Sequence, residues 1–111
     1  MSRTEKVSQY RTTVGYHPNG NTVVTYINTP VVIISPTGDV MLNHGGHITP
    51  TTKLRMNQAS NEFDLGYTVR QKDYEWWIDY NKMGTQYTIP FDHERVIIRS
   101  EGSWESGDNL K

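Results

Sequence analysis

Short runs of apolar and β-branched residues, parted by turn-forming clusters, occupy most of the chain, and alternation with a period of two dominates. Thr22-Val23-Val24-Thr25-Tyr26-Ile27 reads as a strand, and Asn28-Thr29-Pro30 reads as the break after it. Val31-Val32-Ile33-Ile34-Ser35 is a continuous apolar run of strand length, as expected where both faces are covered. Pro36-Thr37-Gly38-Asp39 turns it into Val40-Met41-Leu42-Asn43, so 31–43 is a β-hairpin closed off by Gly45-Gly46. Further on, Tyr67-Thr68-Val69-Arg70-Gln71 alternates and Lys72-Asp73 makes a turn. Tyr74, Trp76, Ile78 and Tyr80 then share one face of the next strand, with Glu75, Trp77 and Asp79 on the other. Strands at 86–89 and 95–99 complete the set.

One stretch carries a helical period instead. Thr49 is a fitting N-cap and Pro50 a fitting first helical residue, because its missing N–H has no partner to lose there. Thr52, Met56, Ala59 and Phe63 then fall on one stripe, and Gly66 supplies the left-handed residue that ends a helix. The spacing predicts a helix over about 50–64, with Lys53, Arg55, Asn57 and Gln58 largely off the stripe.

Hairpins before and after a single amphipathic helix predict an α+β fold, an antiparallel sheet with the helix packed on one face. The expected organisation is one domain over 1–99 and a mobile acidic tail over 100–111, tacked down at most by Trp104. Residues 1–20 read as an irregular N-terminal segment, since they are polar and end at a Pro18-Asn19-Gly20 turn.

Composition narrows the class. Only 34% of the 111 residues are hydrophobic, but 11% are aromatic, so large rings must supply core area that aliphatics do not. No run approaches the roughly 20 apolar residues of a membrane span, so no membrane association is expected. A net charge of −1 argues against binding duplex DNA chiefly by phosphate neutralisation. The charges are uneven, with a mildly basic middle around Lys53, Arg55, Arg70 and Lys72 and an acidic end. Cysteine is absent, which excludes thiol catalysis, thiolate zinc sites and disulfide scaffolding. Met1 to Lys6 lack the apolar core of a signal peptide, so an intracellular location is expected.

Several residues invite a chemical reading. Thr51, Thr52 and Lys53 follow a Gly-Gly turn at a helix start, and such hydroxyls and a lysine hold anions; ordinary capping explains them as well. Lys53, Arg55, Asn57, Gln58 and Arg70 suit phosphates and base edges, and equally suit a solvated helix face. Trp76 and Trp77 are adjacent on a strand and cannot both enter one core. Trp77 is therefore an interaction anchor, unless the N-terminal segment or the tail covers it. His44 and His47 span a turn, with no third ligand at a recognised spacing, so no metal is expected. Asp73, Glu75 and Asp79 lie on a solvated strand face and no Ser-His-Asp pattern occurs; neither an enzyme nor a cofactor is expected.

The run from Val40 to Gly46, the segment Thr51-Thr52-Lys53-Leu54-Arg55-Met56-Asn57-Gln58 and the hairpin from Val69 to Trp77 resemble a group of small, uncharacterised tailed-phage accessory proteins. A TTKxRMNQ helix and a QKxxxW hairpin recur in that group, and Thr29-Pro30 matches its first strand. The likeness covers about residues 21–98 and implies no catalytic residue. It implies a phage accessory protein in the cytoplasm of the infected bacterial host, binding a host enzyme, a defence component or nucleic acid. A protein partner is the leading expectation, in the service of host modulation or anti-defence. The alternatives are a nucleic-acid-binding module built on helix 53–58 and Arg70, and a small anion or nucleotide site at the helix N-terminus. Exposed strand edges can pair into a dimer, but no feature of the sequence requires it, so the oligomeric state stays open.

Overall fold

The computed structural model describes residues 11–82 and 84–107. Among them the order is β1 (Thr12–Tyr16), β2 (Thr22–Tyr26), β3 (Thr29–Ile34), β4 (Val40–Asn43), α1 (Pro50–Phe63), β5 (Tyr67–Lys72), β6 (Glu75–Lys82), β7 (Thr85–Pro90), β8 (Arg95–Ile98) and β9 (Trp104–Gly107). The fold is α+β, as the hairpin pattern predicts. All the strand pairs are antiparallel, and they form two sheets rather than one: β1-β2-β3-β4-β8-β9 and β5-β6-β7. The chain leaves the larger sheet after β4, builds α1 and the smaller sheet, and returns as β8 beside β4.

The helix and both sheets feed one buried cluster. Val24, Leu42 and Val96 come from the larger sheet, Met56 and Ala59 from α1, and Val69, Ile78 and Ile89 from the smaller one. The helix begins where expected. Thr49 caps it by accepting the Thr52 N–H, Pro50 occupies the first turn, and Thr52, Met56 and Ala59 are buried.

Five local expectations are corrected. The segment read as irregular holds β1, which pairs along its length with β2 and buries Thr12. Cross-strand bonding, not apolar content, makes it a strand. The segment read as a tail holds β9, which pairs with β8 and is tied in by Arg99, whose Nη2 donates to Glu105 (2.8 Å). The break after β2 is at Ile27-Asn28, both at positive φ, and Thr29-Pro30 opens β3. Pro30 is tolerated there because the register shifts beside it, leaving Val31 as the extra residue of a bulge. The helix ends on Asp64 in the left-handed conformation (φ 56°), two residues before Gly66. Finally, Tyr74 does not share the strand face of Trp76, Ile78 and Tyr80: Asp73 and Tyr74 form a positive-φ hairpin turn that leaves Tyr74 95% exposed.

Candidate functional site

The helix residues read as anion or base contacts are bonded within the fold. Thr52 is fully buried and shares a hydroxyl contact with Thr49 (3.1 Å), while Thr51 is half-buried. Lys53 Nζ donates to Gln71 Oε1 (3.0 Å) and lies 5.5 Å from the centre of the Trp76 ring. Arg55 is only 5% exposed: its Nε donates to Thr12 Oγ1 (2.9 Å), its Nη1 to Gln58 Oε1 (3.2 Å), and its guanidinium sits 5.6 Å from the Tyr26 ring centre. Gln58 is equally buried. Neither a recognition helix nor a solvated face describes Arg55 and Gln58, which bind the helix to β1 and β2. No sequence period announces this, because Arg55 and Thr12 are far apart in the chain.

Asn57 has a different task. Its Nδ2 donates to the Val69 carbonyl (2.9 Å), and the Val69 N–H donates to its Oδ1 (2.7 Å). One turn on, Ser60 Oγ donates to the Tyr67 carbonyl (2.7 Å) and accepts the Tyr67 N–H (3.1 Å). The Tyr67 hydroxyl closes the group by donating to the Met56 carbonyl (2.7 Å). Burial without a charge partner raises the pKa of that phenol far above its ordinary value. The side chains of α1 thus act as a strand along the outer edge of β5.

The helix and the core lie on one face of the smaller sheet; Arg70, Trp77, Asp79, Thr88 and Pro90 mark the other. Trp77 is half-buried, with Arg70 and Pro90 as its cross-strand neighbours. Arg70 Nε donates to Asp79 Oδ2 (2.7 Å), and Thr88 Oγ1 donates to the other carboxylate oxygen (3.3 Å). This Arg-Asp-Thr chain fixes the surroundings of the indole; only Arg70 and Trp77 of the set stand out in the sequence.

Trp77 lines two hollows. One, of about 330 Å³, is lined by His44, Trp76, Trp77 and Phe91 with Glu75 and Asp92. Pro90 and the exposed Tyr74 and Ile48 complete its wall. Three rings pack together at its floor: His44 meets Trp76 edge-on (5.7 Å) and Phe91 at a tilt (5.4 Å), and Trp76 meets Phe91 edge-on (5.7 Å). His44 Nδ1 accepts the Gly46 N–H (3.0 Å) across the Gly-Gly turn. A side chain at Gly45 is barred, because φ is +58° and a Cβ would lie 2.6 Å from Thr29 Cγ2. The second hollow, about 310 Å³, is lined by Arg70, Lys72, Trp77 and Thr88 with Asp73 and Glu75. The first hollow is therefore aromatic and acidic, and the second carries both basic and acidic groups. Among the described residues, no group of three or more His, Asp or Glu side chains is placed to hold a metal ion. The meeting of His44 and Phe91 with Trp76 is not legible in the sequence, because they reach it from separate loops with no shared spacing.

A family model described as Kyanoviridae Gp96 protein matches residues 1–107 of the chain. No curated protein and no solved structure matches it.

Proposed function

Because the chain belongs to the Kyanoviridae Gp96 protein family, a phage family, we propose that it is a phage accessory protein that binds a macromolecular partner without catalysis. The partner is a host or phage protein, met in the cytoplasm of the infected cell and altered by being bound, as host takeover or defence evasion requires. The observation that carries this reading is Trp77. A tryptophan half-buried on a sheet face that, among the described residues, neither the helix nor the larger sheet covers, held between an Arg and a Pro, has the make-up of an interface anchor. The aromatic hollow beside it gives a protruding partner side chain somewhere to lodge. In the described residues no helix is long and apolar enough to cross a membrane.

A second reading, single-stranded nucleic acid stacked on Trp77, draws support from Arg70 and Lys72 on the same face. Asp73, Asp79 and Glu75 beside them weigh against it. A pull-down from lysate of the infected host, with wild-type and Trp77→Ala baits and with and without nuclease, separates the two. The expected result is a stoichiometric protein that survives nuclease and is lost with Trp77→Ala. Equal recovery on both baits sinks the reading, and nuclease-sensitive recovery moves it to nucleic acid.

A further inference from the structure

The two edges of the smaller sheet are finished differently, and the bonding pattern says which groups each edge presents. Asn81 N–H donates to the Gly66 carbonyl and Phe91 N–H to the Trp76 carbonyl. Bonded pairs alternate in an antiparallel ladder, so Tyr67 and Val69 turn their backbone groups away from β6 on one side. On the other side, Gln86 and Thr88 do the same. The Tyr67 and Val69 groups are all taken by Ser60 and Asn57. Those of Gln86 and Thr88 have no partner among the described residues. Thr85 to Thr88 are exposed, and α1 packs on β5, β3 and β2, away from this edge.

Open edges are ordinarily guarded by charge, by proline or by a covering element. Strand β7, Thr85-Gln86-Tyr87-Thr88-Ile89-Pro90, carries no charge at all, and its one proline stands at the end. The free length is therefore short and neutral, running from Gln86 to Thr88.

We propose that β7 pairs antiparallel with β7 of a second copy of this chain, across a two-fold axis through Tyr87. In that register each Gln86 faces the Thr88 opposite, and the two exchange both hydrogen bonds, so the free N–H and C=O groups of Gln86 and Thr88 are used on both edges. A foreign strand can do this too, but the self-pair also brings Tyr87 directly opposite Tyr87. It lengthens the existing Tyr80–Tyr87 stack (6.3 Å, 28°) into a row of four rings, without setting any like charges against each other. At the β5 edges of the resulting six-stranded sheet the outward groups of Tyr67 and Val69 are already bonded, so growth beyond two copies through the small sheet is disfavoured. The axis stands perpendicular to the sheet, so both Trp77 faces lie on the same side.

Sedimentation velocity of the full chain over a range of concentrations, with charge-swapped variants, tests this. The wild type is expected to show a reversible monomer–dimer equilibrium. Tyr87→Lys and Tyr87→Glu, each folded by circular dichroism, are each expected to weaken it by about tenfold. Mixing the two variants should restore the dimer, because opposite charges then face each other. A wild type that stays monomeric overturns the proposal. So does a dimer indifferent to both variants, or a mixture no tighter than either alone. If a partner protein instead protects the Gln86 and Thr88 amides on a monomeric chain, the edge belongs to strand donation by that partner. None of these outcomes depends on whether Trp77 anchors a partner.

Discussion

Strands β5 and β7 border the same three-stranded sheet and are equally long, yet their outer edges differ. Along β5, Asn57 and Ser60 meet the backbone of Val69 and Tyr67 almost as a neighbouring strand would. Along β7, the corresponding groups face solvent and the side chains above them are neutral. The contrast shows that polar residues on a helix need be neither surface nor site. Amide and hydroxyl side chains there satisfy buried backbone groups that would otherwise be left unpaired.

The largest effect on this contrast should come from Asn57→Ala. It strips partners from the N–H and C=O of Val69, which is 3% exposed, and should cost about 2–3 kcal/mol in urea unfolding. A loss under about 0.5 kcal/mol would mean that the edge is closed by something else.

Tyr67→Phe should cost less, about 1 kcal/mol for the bond to the Met56 carbonyl, and should also change the alkaline limb of the stability curve. The buried phenol holds its proton more tightly folded than unfolded, its ordinary pKa being 10.0. Its contribution is therefore complete below about pH 10 and drains away as pH rises further. Tyr67→Phe should lose stability less steeply above that pH. An unchanged slope would show that the phenol is not sealed from water. A smaller contribution of the same sign remains from Tyr80, whose pKa is raised by burial and then by Tyr87.

The smallest effect belongs to the open edge. Gln86→Ala should change stability by no more than about 0.5 kcal/mol, since Gln86 is exposed and anchors nothing in the monomer. A cost matching that of Asn57→Ala would erase the contrast.

Much of the architecture is legible in the sequence, and most of what is not depends on distant partners. The helix is readable because Thr49-Pro50 and the Thr52–Met56–Ala59 stripe are local signals. The β3–β4 and β5–β6 hairpins are readable because their turns carry Gly or Asp beside strand-like runs. Strands β1 and β9 are not, because Thr12–Tyr16 and Trp104–Gly107 have little apolar pattern and exist through pairing with β2 and β8. Of the candidate site, Trp77 and Arg70 are legible from alternation alone. Asn57 is legible as a polar helix residue but not as the partner of Val69, twelve residues away across a sheet edge. The same holds for Arg55: its burial depends on Thr12, which only the folded chain brings near.

The difference between the edges is tested most directly by native-state amide exchange, read residue by residue on the dilute chain. The Tyr67 and Val69 amides should exchange only when the whole molecule opens, while those of Gln86 and Thr88 exchange far sooner and gain protection as concentration rises. Val69 exchanging as readily as Thr88, or Thr88 protected alike at every concentration, would contradict the account.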